Sequence, residues 1–225
     1  MNCNLTTNNS RRSIVCNALL AAVSLFINGL GVYLTIHANI GAGPWDVFNL
    51  GLSKTLGILY GSASITVSLI ILLVDIALRE PIGIAMFIDA LVVGKAVDFF
   101  TWLDAVPTPA TVPGSIAMIF VGLVIMGYTQ FLYMRAALGC GPRDTLLVGL
   151  ARHMSRIPIG VVSIVVLSMA TLVGWLLGGP VGIGTLLCAF CAGPIMQFAF
   201  RTVHFDATAV RHQRIIDSVK YLARK

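Results

Sequence analysis

Gly41-Ala42-Gly43-Pro44-Trp45-Asp46 recurs 98 positions later as Gly139-Cys140-Gly141-Pro142-Arg143-Asp144. Between residues 29 and 52, 9 of 24 positions are identical to their counterparts at this spacing. With one inserted residue the similarity resumes over residues 81–99, which align with residues 180–198. A repeat of this length indicates that the chain arose by duplication and that its two halves share one architecture.

The composition indicates a polytopic membrane protein. Of the 225 residues, 57% are hydrophobic and only 11% are charged, whereas a soluble domain carries about 25% charged and about 45–50% apolar residues. So few charged residues cannot cover a surface that faces water. The composition therefore excludes a soluble enzyme, a disordered chain and a nucleic-acid-binding protein, despite the net charge of +6.

Six stretches are long and apolar enough to cross a bilayer, which takes about 20 residues. Two shorter stretches, 44–58 and 142–156, hold 15 residues each. As helices they would be about 22 Å long, less than the roughly 30 Å hydrocarbon core. We therefore predict an all-α fold with two short broken helices, re-entrant or interfacial, and with spans at about 14–36, 60–78, 82–103, 113–134, 159–177 and 181–200.

The positive charges predict the orientation, because cytoplasmic loops collect Lys and Arg. With the N-terminus inside, six spans place thirteen of the fifteen Lys and Arg residues on the cytoplasmic side; Lys54 faces out and Lys95 lies within a span. Both termini are then cytoplasmic. The predicted segments are a cytoplasmic N-terminus (1–13), a first three-span repeat (14–103), an extracytoplasmic linker (104–112), a second three-span repeat (113–200) and a basic cytoplasmic tail (201–225).

Each half has three spans. Because three is an odd number, the second half begins on the opposite side of the membrane and is inverted relative to the first. Inverted repeats of three plus three spans are a recurrent plan of secondary transporters, with binding sites at interrupted helices. Duplication can also build a channel or simply a stable bundle. We predict that the solute binds to residues of both motif copies: Gly41, Gly43, Pro44, Asp46, Gly139, Gly141, Pro142 and Asp144. The motif can equally serve only as a conformational cap of each short helix.

The motif itself predicts a chain break followed by a helix start. Its two glycines allow a tight turn, and its proline suits the first helical position. The amide groups at such a helix start favour an anionic group. Asp46 and Asp144, two residues after each proline, can take that place themselves.

Charged residues inside a span are expensive, at roughly 2.5–3.5 kcal/mol each near the centre, and one predicted span carries three: Asp89, Lys95 and Asp98. We predict that they couple transport to a proton or an ion. The alternative is a structural ion pair between Lys95 and Asp98, which lie about 60° apart on a helix. Asp75 and Arg79, spaced i and i+4, predict a further ion pair at the interface.

No motif predicts catalysis. Cys188 and Cys191 form a CxxC inside an apolar span, where small residues at helix contacts explain them, and the four histidines are scattered. We predict no metal, no cofactor and no enzymatic activity. The expected partners are the lipid bilayer, an unidentified small solute and a coupling ion, and small residues on an exposed face, such as Gly127, would allow a homodimer.

The motif followed by Gly51-Leu52-Ser53 resembles the signature of the YczE/YyaS/YitT group of bacterial integral membrane proteins. A second resemblance is Pro81-Ile82-Gly83, which leads to Ala90-Leu91-Val92-Val93-Gly94 and Asp98. The resemblance to this family covers roughly residues 14–201 and implies a multipass protein of the bacterial cytoplasmic membrane. Our functional hypothesis is a proton- or ion-coupled secondary transporter. The alternative is a non-transporting membrane protein that binds a partner complex through its cytoplasmic loops and tail.

Overall fold

The computed structural model describes residues 11–104, 106–154 and 157–205. These ranges contain eight α-helices and no β-strand. Every helix lies within three residues of its predicted bounds, and the predicted tail beyond residue 205 and most of the N-terminus lie outside the described residues. The helices are α1 (Arg11–His37), α2 (Pro44–Leu56), α3 (Tyr60–Ala77), α4 (Ile84–Leu103), α5 (Val112–Arg135), α6 (Pro142–His153), α7 (Ile159–Leu176) and α8 (Ile183–Thr202).

Five of these helices are long and apolar enough to cross a membrane: α1, α3, α5, α7 and α8. Large apolar side chains cover the outer surface, including Trp102 (80% exposed), Phe190 (76%) and Leu176 (71%). An apolar surface of this extent is incompatible with water, so the chain is a polytopic membrane protein. Helix α4 is as long as α8, at 20 residues, but it carries Asp89, Lys95 and Asp98.

The turn before each short helix has the same backbone conformation in both halves. Asn39 and Gly41 have φ values of 55° and 110°, and their counterparts Ala137 and Gly139 have 55° and 122°. The next glycine of each copy has an extended conformation (ψ 156° and 157°), and the proline that follows begins the helix. The duplicated motif therefore produces the same break and the same helix start twice.

Most helix contacts also occur twice, once for each half. Helices α1 and α5 pack along each other; α4 packs on α1 as α8 packs on α5, and α2 packs on α7 as α6 packs on α3. Gly127, which we predicted on an exposed face, is buried at the contact between α5 and α8, where a Cβ would lie 3.3 Å from the Cβ of Ala199. That prediction is wrong because the small residue serves helix packing within the chain.

Each motif copy docks against the other half of the chain. The carbonyl of Ile40 accepts a hydrogen bond from Gly184 N (2.7 Å), and the carbonyl of Leu138 accepts one from Ala85 N (3.2 Å). The glycine at the turn before α8, Gly182, lies so close that an added Cβ would be 2.5 Å from the Ile40 carbonyl oxygen. These reciprocal contacts hold the two halves together at both motif loops.

One pair of contacts breaks this correspondence. Helix α3 packs on α4, where a Cβ on Gly94 would lie 2.9 Å from the Gly61 carbonyl oxygen. The counterparts of these residues are Gly160 on α7 and Gly193 on α8, and a Cβ on either would meet no atom within 4 Å. Within the described ranges, α7 and α8 make no extensive contact. The seam between α3 and α4 is therefore closed, while the corresponding seam between α7 and α8 is open.

The predicted ion pair between Asp75 and Arg79 is wrong. Helix α3 ends at Ala77, so Arg79 (φ 58°) lies beyond the helix and the i, i+4 geometry is not available. Asp75 is fully buried, and neither of its carboxylate oxygens has a hydrogen-bond partner. The ion pair at this end of α3 joins Glu80 to Arg152 of α6 at 3.0 Å.

Candidate functional site

The beginnings of α2 and α6 approach each other through the half-buried side chains of Trp45 and Arg143. Arg143, the second residue of α6, donates a hydrogen bond through Nη2 to the Ser64 hydroxyl of α3 (3.2 Å). Its guanidinium carbon also lies 5.4 Å from the centre of the Trp45 ring, and Trp45 is the second residue of α2. Arg143 and Trp45 occupy the same position in the two copies of the motif, so this contact brings the two copies together.

Asp46 lies on the α2 side of this meeting point and is only 8% exposed. Its Oδ1 accepts a hydrogen bond from the Tyr60 hydroxyl at 2.7 Å. Asn49 donates to the same hydroxyl at 3.4 Å. The other polar atom of the fully buried Asn49 amide, Oδ1, has no hydrogen-bond partner. This side of the site therefore holds a buried carboxylate and an unused hydrogen-bond acceptor.

Asp144 and Asp89 lie on the α6 side. Asp144 is exposed, and its Oδ2 accepts a hydrogen bond from the Gln130 amide of α5 (3.3 Å). A Cβ on Gly141 would lie 2.9 Å from Asp89 Oδ2 and 3.8 Å from Asp144 Oδ2, so both carboxylates stand beside the motif turn. Close packing around Gly141 thus holds the α4 carboxylate next to the start of α6.

The Tyr133 hydroxyl completes this side of the site. Tyr133 is 2% exposed, and its hydroxyl has no hydrogen-bond partner. Asp89, Asp144 and Cys140 are its electrostatic neighbours. A buried polar group normally has a partner, since leaving one unsatisfied costs about 1–3 kcal/mol. The hydroxyl therefore retains an unused hydrogen-bond donor and acceptor.

The site has an excess of negative charge. Asp46, Asp89 and Asp144 all have Arg143 as their electrostatic neighbour of opposite charge. None of the three lies within ion-pair distance of it, because among the described residues only Glu80 and Arg152 form an ion pair within 4.0 Å. Three carboxylates thus share one neighbouring guanidinium, which donates a hydrogen bond to Ser64 and lies over the Trp45 ring.

Asp98 lies at the closed seam and does not pair with Lys95. Its Oδ1 accepts a hydrogen bond from Gly61 N in the first turn of α3 (2.8 Å), and its Oδ2 is buried without a partner. The first amides of a helix have no partner within the helix and favour a negative charge. Lys95 lies on the exposed face of α4 with Leu91 and Phe99. The structural ion pair considered from the sequence is therefore absent.

The structure separates the three charged residues that we predicted to act together. Asp89 joins the motif residues, Asp98 joins α3, and Lys95 faces outward. The sequence reasoning missed Arg143, Tyr60 and Tyr133 as members of the site. Only Arg143 had a usable signal, since it puts a charge into a duplicated motif whose other copy has Trp45.

The two halves of the site differ in chemistry although they share a backbone. At the position where α4 has Asp89 beside Gly141, α8 has Cys188, whose Cβ is 3.9 Å from a Cβ placed on Gly43. No group of three or more His, Cys, Asp or Glu side chains in the described part of the chain could hold a metal ion.

Comparisons with known proteins find relatives of unknown function, one of which is named a membrane protein. A family of unknown function (DUF6198) matches residues 15–201. The uncharacterized membrane protein YczE of Bacillus subtilis is 32% identical over 181 residues, covering 78% of this chain and 81% of that protein. An uncharacterized protein of Haemophilus influenzae is 31% identical (80% of each chain), and the uncharacterized protein YyaS of Bacillus subtilis is 28% identical (80% and 90%). No solved structure matches significantly.

Proposed function

This chain belongs to the YczE/YyaS family of membrane proteins, and we propose that it is a proton- or ion-coupled secondary transporter of a small solute. The observation that carries the proposal is the difference between the two halves: the seam between α3 and α4 is closed and its counterpart between α7 and α8 is open. A carrier with two related halves alternates by exchanging their conformations around a central site.

The proposal includes six spans arranged as an inverted repeat, with both termini in the cytoplasm. Helix α4 would be the sixth span, because Asp89 and Asp98 face protein groups rather than lipid. The reciprocal docking of the two motif loops and the doubled helix contacts support the inverted repeat. The short helices α2 and α6 would then enter the bundle from opposite faces of the membrane.

In this orientation the closed seam lies in the outer half of the bundle and the open seam in the inner half. The burial of the two equivalent carboxylates fits that arrangement. Asp46, on the outer motif copy, is 8% exposed, whereas Asp144, on the inner copy, is exposed. The structure would thus correspond to the state in which the site opens toward the cytoplasm.

Asp98 offers a physical route for proton coupling. Its carboxylate bonds to the first turn of α3 and so joins the two helices of the closed seam. Protonation would remove the negative charge that the helix N-terminus favours. We therefore propose that a proton on Asp98 weakens the closed seam and favours the opposite state. The second half has Gln197 at this position, which carries no charge and cannot respond to pH.

The test is a pair of distance measurements in liposomes by double electron–electron resonance. In a background without native cysteines, spin labels at Val161→Cys and Phe198→Cys report on the open seam. Labels at the equivalent positions, Ser62→Cys and Phe99→Cys, report on the closed seam. We expect the first pair to be farther apart at neutral pH, and acidification to change the two distances in opposite directions.

The proposal would be overturned if the distances in both spin-label pairs stayed the same at neutral pH, at acidic pH and with an imposed proton gradient. Distances that change in the same direction would also contradict it, because an exchange of halves requires opposite changes. In either case the partner-binding alternative would take precedence. It would be examined by deleting the basic tail.

A further inference from the structure

The charge excess at the meeting point of α2 and α6 restricts the kind of solute that fits there. Three carboxylates have one guanidinium as their neighbour of opposite charge, so the fully ionised group would carry two uncompensated negative charges. Uncompensated charge is unfavourable away from water. The site therefore needs protons or a positively charged ligand to be occupied stably.

An anionic solute does not fit, although free helix amides normally favour one. Asp46 and Asp144 are each the third residue of their helix and stand beside its first turn. A Cβ on Gly43, the residue before α2, would lie 2.9 Å from Asp46 Oδ2. The chain's own carboxylates thus offset the positive end of each short helix, and a second anion would be repelled.

Two buried groups with no partner also favour a ligand that donates hydrogen bonds. Asn49 Oδ1 can only accept, and it is fully buried near Asp46 and Tyr60. The Tyr133 hydroxyl belongs to a side chain that is 2% exposed, has no hydrogen-bond partner and has Asp89 and Asp144 as electrostatic neighbours. These observations are independent of the acidic cluster. An ammonium or guanidinium group supplies the N–H donors that such acceptors lack.

Arg143 already shows how an organic cation is held here. Its guanidinium lies over the Trp45 ring and donates to Ser64, without an ion pair to any of the carboxylates. A cation over an aromatic face gains about 0.5–2 kcal/mol. The side chain is long and flexible, so it can leave the ring when another cation arrives.

We propose that the solute is an organic cation, a primary ammonium or guanidinium with an apolar body, which binds between the two short helices and displaces Arg143 from Trp45. An organic cation is favoured over a bare metal ion, since no group of three or more His, Cys, Asp or Glu side chains among the described residues could hold one. The inference rests on the proposed function and names the substrate class of that same site. Asp144 binds the charged group, and Trp45 contacts the apolar body.

The test compares the binding of aromatic probes of similar shape that are cationic, neutral or anionic to the full-length protein in nanodiscs. Benzylammonium and phenylguanidinium are the cations, benzyl alcohol is neutral, and benzoate is the anion. We expect the cations alone to raise the melting temperature, since a ligand of the folded state stabilises it by mass action. Stabilisation by benzoate or benzyl alcohol, or by none of the probes, would overturn the inference.

Three variants locate the binding. Asp144→Asn should weaken cation binding about tenfold, or about 1.4 kcal/mol. Asp104→Asn, which changes an exposed carboxylate at the end of α4, should have no effect. Arg143→Gln should tighten cation binding, because the resident competitor is removed. Weaker cation binding in Arg143→Gln would contradict the displacement, and equal binding in Asp144→Asn would contradict the site.

The spin-label distances separate this inference from the proposed function. If the two seams exchange and no cation binds, the chain remains a transporter and the substrate class is wrong. If a cation binds at Asp144 and the seams stay fixed, the site is correct and the transport proposal fails.

Discussion

Replacing Gly94 and its counterpart Gly193 with alanine tests the difference between the two seams by the same chemical change. A Cβ on Gly94 would lie 2.9 Å from the carbonyl oxygen and 3.1 Å from the Cα of Gly61. Both contacts are with backbone atoms, so α3 must move to relieve them. A Cβ on Gly193 would meet nothing within 4 Å.

The expected magnitude follows from two terms. Alanine is favoured over glycine in a helix by about 1 kcal/mol, and this gain is common to both variants. Overpacking at a closed contact costs about 1–3 kcal/mol, and only Gly94→Ala incurs it. The two variants should therefore differ by about 2 kcal/mol, which corresponds to about 4–8 °C in melting temperature for a chain of this length.

The assay is thermal unfolding of both purified variants in the same detergent, followed by tryptophan fluorescence. Gly94→Ala should melt below the parent protein, and Gly193→Ala should melt at or slightly above it. Equal shifts in the two variants would refute the reasoning, because they would mean that the two seams are equally packed.

Three further predictions concern the ion pair, the motif loop and the seam carboxylate. Arg152→Ala leaves the buried Glu80 without its cation and should cost about 1–3 kcal/mol; a double variant with Glu80→Gln should recover part of this loss in thermal unfolding. Gly182→Ala should destabilise by about 1–3 kcal/mol because its Cβ would lie 2.5 Å from a carbonyl oxygen, whereas Gly160→Ala, in open space, should not lower the melting temperature. Asp98→Asn keeps an acceptor for the α3 amide but cannot change charge, so the label pair on the closed seam should lose its response to pH; a response of parental size would exclude Asp98 as the coupling group.

Much of the fold could be predicted from local sequence. Helix positions follow from apolar length and from the Gly-Pro breaks, which is why α2 begins at Pro44 and α6 at Pro142 as predicted. These features depend on contacts between residues close in the chain, which the sequence pattern carries directly. The assignment of the motif residues Asp46 and Asp144 to solute binding stays a prediction.

The pairing of charged side chains could not be predicted in the same way. Helical spacing made Lys95 and Asp98 neighbours, but the unpaired amides at the start of α3 attract Asp98 from another helix. Asp75 and Arg79 failed as a pair because α3 ends between them. Arg143 reaches Ser64, 79 positions away, and no local pattern indicates that contact.

The central claim is that the two seams exchange their closed and open conformations. Trapping the seam between α7 and α8 in a closed conformation tests this claim most directly. Gly160→Cys and Gly193→Cys, in a background without native cysteines, place two thiols where the structure has open space. A disulfide needs Cβ atoms about 3.5–4.5 Å apart, so it can form only when α7 closes on α8 as α3 closes on α4. At acidic pH, where thiolates are scarce, we expect iodine to oxidise the two thiols to this disulfide and the distance between the Ser62 and Phe99 labels to increase. A rate of disulfide formation no greater than that of a collision control, Ile164→Cys with Phe198→Cys, would contradict the proposed exchange of seams.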